Sequence, residues 1–321
     1  MLHFKVNLLE TCHIPGAAMS IRHPIAAGRF YPAEADQLKK EVQAWLMASA
    51  VPAGFLSDEH SNDAGSHLLG LVLPHAGYVY CGRIIGATLA APWGDSTTGA
   101  SLPQRLFVLS PNHTGQGKPL GVWAEGQWLT PLGPIPVDEE LTQALIQAPG
   151  GFLPDELSHL VEHSTEVILP FLQSLPGSHT GEDGSPVPRT IAPVCVGTRR
   201  PDALRAAGLA LAQVIQDFSF RGQDVGIIVS SDLNHYQDQE QTLHKDALAL
   251  TQVLSCDPDG LLAVVEREGI TMCGVGPMAL ALFAARALGN PWAELCLYDT
   301  SAAASGDTSR VVGYAGLRFG L

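Results

Sequence analysis

Apolar residues recur at helical spacing in seven segments of this chain: Ala35–Ala48, Arg83–Ala91, Glu139–Gln147, Thr165–Leu175, Pro201–Phe218, Glu240–Leu254 and Gly274–Leu288. Between them lie short apolar runs at Leu68–Leu73, Arg105–Ser110, Ile191–Val196, Val225–Ser230, Leu295–Tyr298 and Val311–Phe319. These runs have the length and β-rich composition of strands buried on both sides. Their alternation with helices predicts an α/β fold. The expected architecture is a single domain with a central, mostly parallel or mixed β-sheet flanked by helices on both faces. Polar stretches rich in Gly, Pro and Ser, at Val51–Ser66 and Pro176–Arg189, read as surface loops. Neither separates two complete core patterns, so residues 19–321 form one expected domain. Residues 1–18 carry no clear periodicity and are expected to form a disordered N-terminal extension, with Met19 as an alternative start.

Composition narrows the picture. A chain of 321 residues buries roughly three quarters of its unfolded surface and needs no covalent staple. Its six cysteines include no CxxC pair, which argues against a zinc ribbon or a disulfide framework. A reducing, cytoplasmic setting is expected. The formal charge of -14 repels phosphate backbones and anionic lipid, so neither nucleic acid nor a membrane surface is an expected partner. The longest apolar stretch, Gly274–Gly289, contains Arg286 and reads as a buried helix, not a membrane span. There is no basic-then-apolar leader at the N-terminus.

The residues able to do chemistry sit in the turns that close the strand patterns. Leu71-Val72-Leu73 runs into Pro74-His75, Leu106–Leu109 into Ser110-Pro111-Asn112-His113, and Gly226–Val229 into Ser230-Ser231-Asp232-Leu233-Asn234-His235. Ligands of open α/β sheets bind outside the carboxyl ends of the strands, where three such turns converge. A fourth element, Thr271-Met272-Cys273-Gly274, opens an apolar helix. The positive helix end is expected to favour the Cys273 thiolate, the form that binds metal or attacks an electrophile. The other cysteines read as small buried hydrophobes. In Glu162-His163-Ser164-Thr165 two readings stand: helix capping by Ser164 with Glu162 as a first-turn anion, or His163 as a group that bonds substrate or dioxygen. Two histidines and one anionic ligand leave open positions on a divalent transition metal. That suits iron(II), and a thiolate also admits copper or zinc. Asp232 and His235 offer acid–base chemistry or orientation of a ligand.

In order along the chain, "AGRFYP", "LVLPHAGYVYCG", "LSPNHTG", "EHSTEVILPFL", "SSDLNHY", "MCGVGP" and "VVGYAG" resemble the successive motifs of the Memo family, from about Ile25 to Phe319. "YDTSAAASGDTSRVVGYAG" is similar to its prokaryotic branch, often called AmmeMemoRadiSam system protein B. The resemblance implies a fold like that of class III extradiol dioxygenases, which cleave catechol-type rings with non-haem iron(II). It implies His75, His113 and Cys273 as metal ligands, with the cysteine standing where the dioxygenases have a carboxylate. Asp232 and His235 match further pocket residues, and His163 resembles a pocket histidine. Family context implies AMMECR-type and radical SAM proteins as partners.

The leading expectation is a metal-dependent, dioxygenase-like oxidoreductase acting on a small aromatic or phenolic substrate. In it His235 takes a substrate proton, Asp232 tunes His235, and His163 stabilises bound oxygen. The alternative is a non-catalytic peptide-binding or metal-handling protein with an enzyme-like cleft. Trp123 and Trp128 would line its groove unless they are ordinary packing residues. A third reading, metal-free nucleophilic catalysis by Cys273 with His75 or His113 as base, is separated from the others by metal content.

Overall fold

The computed structural model describes residues 20–48, 67–90, 102–175 and 187–321. The expected N-terminal extension, the expected loop at Val51–Ser66 and Cys12 lie outside these residues, as does most of the loop at Pro176–Arg189. In chain order the strands are β1 (Ile21–Arg22), β2 (Leu68–Leu73), β3 (Arg105–Pro111), β4 (Leu120–Val122), β5 (Gln127–Thr130), β6 (Gly133–Pro136), β7 (Leu153–Pro154), β8 (Thr190–Val196), β9 (Val225–Ser230), β10 (His235–Gln237), β11 (Trp292–Thr300) and β12 (Val311–Gly320). The helices are α1 (Ala35–Ala48), α2 (Tyr78–Ala90), α3 (Glu139–Gln147), α4 (Leu157–Leu160), α5 (Leu169–Ser174), α6 (Pro201–Ser219), α7 (Gln239–Leu254), α8 (Pro258–Arg267), α9 (Val275–Leu288) and α10 (Ala302–Ser305).

The main sheet runs β10-β12-β2-β9-β3-β8-β4-β7, with β11 on the other side of β12. Its centre, β2-β9-β3-β8, is parallel, while β12 and β4 join antiparallel. The sheet is therefore mixed, with a parallel heart. Alternate residues of each central strand feed two separate cores. Val72, Phe107, Leu109, Ile227 and Val229 pack with α6, α8 and α9. Leu71, Leu73, Leu106, Val108 and Ile228 pack with α1, α2 and α5 on the opposite face. Helices thus cover both faces, and the apolar runs are continuous because neither face meets water. A second, three-stranded sheet runs β1-β5-β6. Among the described residues no helix is long and apolar enough to cross a membrane.

The structure departs from the sequence pattern in a few places. The helix expected from Arg83 starts at Tyr78, so Cys81 lies in its first turns and is fully buried. The helix expected over Thr165–Leu175 is a 3₁₀ turn at Glu166–Ile168 followed by the short α5. Pro170 lacks the N–H needed to continue a regular ladder through that region. Helix α8 is additional to the expected set; Asp257 caps it and Pro258 opens it. Trp123 and Trp128 are buried core residues at 1% and 0% exposure, edge to face against each other, and do not line a groove.

Candidate metal centre

The parallel strands β2, β3 and β9 deliver His75, His113 and Asp232 to one end of the sheet, and the start of α9 brings Cys273 to them. Gly274 permits this approach: a Cβ there would sit 2.3 Å from Ser231 Cβ and 2.6 Å from the Ser230 carbonyl. Without that side chain, Cys273 Sγ reaches within 3.4 Å of His75 Nε2 and accepts the Asp232 amide N–H at 3.2 Å. The His75, His113 and His163 rings form a cluster with centroids 5.1 to 5.5 Å apart.

His75 is buried at 1% exposure, and its surroundings fix its tautomer. The Ser230 hydroxyl donates to the Ser164 carbonyl at 2.8 Å, so it must accept from His75 Nδ1, 2.7 Å away. The proton on Nδ1 leaves the Nε2 lone pair facing Cys273. Burial, reinforced by the neighbouring histidines, holds the His75 pKa well below its ordinary value, so the ring stays neutral, as a ligand must be. The second histidine is oriented by a carboxylate. Glu162, itself buried, accepts His113 Nδ1–H at 2.8 Å and the His113 backbone N–H at 2.7 Å. It also accepts the N–H groups of His163 and Ser164, both at 3.0 Å. Burial works against the Glu162 charge, but the bonds from His113 outweigh it and hold the carboxyl at about 2. Burial likewise opposes protonation of His113, and the Glu162 bond reverses that, raising its pKa. This is the carboxylate–histidine arrangement that orients imidazole at metal sites.

The capping reading of the Glu162–Thr165 stretch needs revision. Ser164 donates to the Pro111 carbonyl and caps nothing, and Glu162 braces His113. Asp232 is buried and accepts the His75 backbone N–H at 2.9 Å; burial pushes its pKa up. His235 lies 4.0 Å from Asp232 through Nε2 and donates Nδ1–H to the Thr271 carbonyl at 3.0 Å. Neither caps the following helix, since Asp238 does that for α7. For Cys273 the expected thiolate is overturned in the metal-free chain. Burial first, and the Asp232 carboxylate second, push the thiol pKa up and outweigh the helix terminus.

Two groups have ligating atoms all within 4.8 Å of one another: His75, His113 and His163, and His75, Asp232 and Cys273. His75 belongs to both, so the expected trio of His75, His113 and Cys273 spans the two groups. The donor set of imidazoles, a thiol and a carboxylate fits a divalent transition metal. Ser230 and Asn234 were not among the expected site residues. Asn234 accepts from Thr271 through Oδ1 and so ties the Asp232–His235 turn to the segment leading to Cys273. Both lie within "SSDLNHY", but their roles depend on partners far along the chain.

A model of Memo-like proteins matches residues 22–318. The chain belongs to the Memo family. It is 35% identical over 300 residues to a MEMO1 family protein of Sulfurisphaera tokodaii, covering 94% of this chain and 99% of that one. It is 37% identical over 295 residues to one of Thermotoga neapolitana, covering 92% and 98%. This Memo-family chain therefore aligns over almost the full length of these relatives, with every candidate site residue inside the matched region.

Proposed function

We propose that this Memo-family chain is a mononuclear metal-dependent, dioxygenase-like oxidoreductase acting on a small aromatic or phenolic substrate, in a reducing, cytoplasmic setting. The observation that carries the reading is the pairing of His75 Nε2, its lone pair fixed by Ser230, with Cys273 Sγ at 3.4 Å. His75, His113 and Cys273 would hold the metal. Bound there, an iron(II)-class ion supplies redox chemistry and open positions for reactants, and copper or zinc suit the same donors. The protein's own groups handle protons. His235, with Nδ1–H engaged by the Thr271 carbonyl, keeps Nε2 free to take a proton from a substrate hydroxyl. Asp232, 4.0 Å away, stabilises the imidazolium so formed. Burial lowers the His163 pKa, so this neutral ring can donate a hydrogen bond to an oxygen of the reactants.

The His75–His113–His163 group favours a second ligand set without Cys273. Metal analysis of anaerobically purified protein separates the two. With Cys273 as the third ligand, Cys273→Ala loses most metal and His163→Ala keeps it; the reverse pattern selects the three-histidine set. Oxygen uptake against a panel of phenols and catechols then tests turnover. Full metal occupancy with no uptake on any member would leave metal binding standing and remove the oxidoreductase reading.

A further inference from the structure

A cavity of about 110 Å³ opens beside the candidate centre, with His113 and Cys273 in its wall. Asn112, Thr198, Arg199 and Gly276 line the rest, together with neighbouring backbone. Gly276 keeps this wall closed: a Cβ there would meet the Thr198 carbonyl at 2.8 Å, so its absence lets the turn after β8 lie against α9. That turn carries Arg199 to the cavity. In this acidic chain most described arginines are matched to a carboxylate: Arg22 to Glu166, Arg105 to Asp138, Arg205 to Asp259, Arg318 to Glu294. Arg199, exposed to solvent where it lines the cavity, has no such partner among the described residues. The Thr198 hydroxyl beside it accepts from the Arg200 amide, and the Asn112 side chain is occupied within its own loop. Arg199 is therefore the cavity's uncommitted cation among the described residues, and its planar fork matches a carboxylate in two parallel bonds. The amide end of α9 opens on the same cavity at Gly276 and adds positive potential.

We propose that Arg199 selects the substrate: it holds the carboxylate of a small phenolic acid in this cavity while the phenol end faces His113 and Cys273. This rests on the oxidoreductase reading for the fate of the phenol, but the binding step stands apart from turnover. Calorimetric titration of the metal-loaded protein with 4-hydroxybenzoate, neutral 4-hydroxybenzamide and phenyl phosphate tests it. The expected result is a preference for the acid over the amide of about tenfold or more, the scale of a charge-assisted pair. Arg199→Ala should erase that preference with metal content unchanged, Arg199→Lys should keep part of it, and Arg200→Ala should keep it all. Equal affinity for acid and amide, a preference surviving Arg199→Ala, or no binding of either compound would overturn the proposal. Tighter binding of phenyl phosphate than of 4-hydroxybenzoate would overturn the carboxylate assignment. An Arg199-dependent preference in a protein that consumes no oxygen would remove the oxidoreductase reading alone.

Discussion

Glu162 shows how much of the site depends on a residue that is not itself an expected ligand. One buried carboxylate accepts four N–H groups: from the His113 ring, the His113 backbone, His163 and Ser164. Glu162→Gln preserves the shape but removes the charge that orients His113. Metal affinity should fall by roughly ten- to a hundredfold, measured by competition with a chelator, the usual scale for losing a ligand's orienting partner. Unchanged affinity would mean that His113 does not bind the metal. Cys273 makes a separate prediction. Its thiol is protonated in the metal-free chain because burial and Asp232 oppose the thiolate. Ligation requires the thiolate, so at metal concentrations that saturate both proteins the wild type should release about one more proton per metal bound at neutral pH than Cys273→Ala. Calorimetry in buffers of different ionisation enthalpy reads that difference directly, and equal release would exclude thiolate ligation. The residues at strand ends, His75, His113 and Asp232, were legible because a turn after a buried strand is where such sheets bind ligands. Glu162 and Ser230 were not, because their function lies in bonds to residues 49 and 155 positions away.

At the scale of elements, the helices and central strands followed from apolar spacing, since burial on both faces leaves an unbroken pattern. What spacing did not reveal was how the segment before α1 is fastened. Glu166, in the 3₁₀ turn after His163, is completely buried and pairs with Arg22. It also accepts the Ile25 and Ala26 amides and the Tyr31 hydroxyl, the last at 2.5 Å. This bundle places Phe30 against the His163 ring, with centroids 4.5 Å apart. A carboxylate in an apolar helical pattern gives no hint of partners 135 to 144 residues earlier. Glu166→Gln leaves the Arg22 charge buried without its counterion and should cost about 3 kcal/mol or more in urea unfolding. Tyr31→Phe removes one hydrogen bond and should cost about 1 kcal/mol. If the two variants lost equal, small amounts of stability, the segment would not depend on the ion pair.

For the whole molecule, two buried groups away from the candidate ligands set opposing responses to acid. His159, between Trp123 and Trp128, has its pKa lowered by burial to about 4. The unfolded chain takes up this proton near pH 6.5 while the folded one refuses it, so His159 removes stability as pH falls from about 6.5 to 4. Asp246 acts in the other direction. It accepts the Asn234 amide at 2.8 Å and the Tyr298 hydroxyl at 2.7 Å, joining α7 to the Asp232–His235 turn and to β11. Burial raises its pKa from 3.8 to about 6. Between those values the folded state binds the proton that the unfolded state has released. Asp246 therefore adds stability as pH falls through 6, and the addition is complete below about 4. At neutral pH its buried charge opposes folding. Asp246→Asn keeps Oδ1 as acceptor for the Asn234 amide, puts an NH2 group where the Tyr298 hydroxyl can turn to accept, and removes the titration. The variant should gain on the wild type at pH 7, and that advantage should shrink by about 1.4 kcal/mol by pH 5, one unit of linked proton uptake. Urea unfolding of both proteins at the two pH values gives this difference, in which His159 and every other shared group cancel. An advantage independent of pH would show that Asp246 is not protonated in the folded chain, and the weak acid response expected from its opposition to His159 would then need another source.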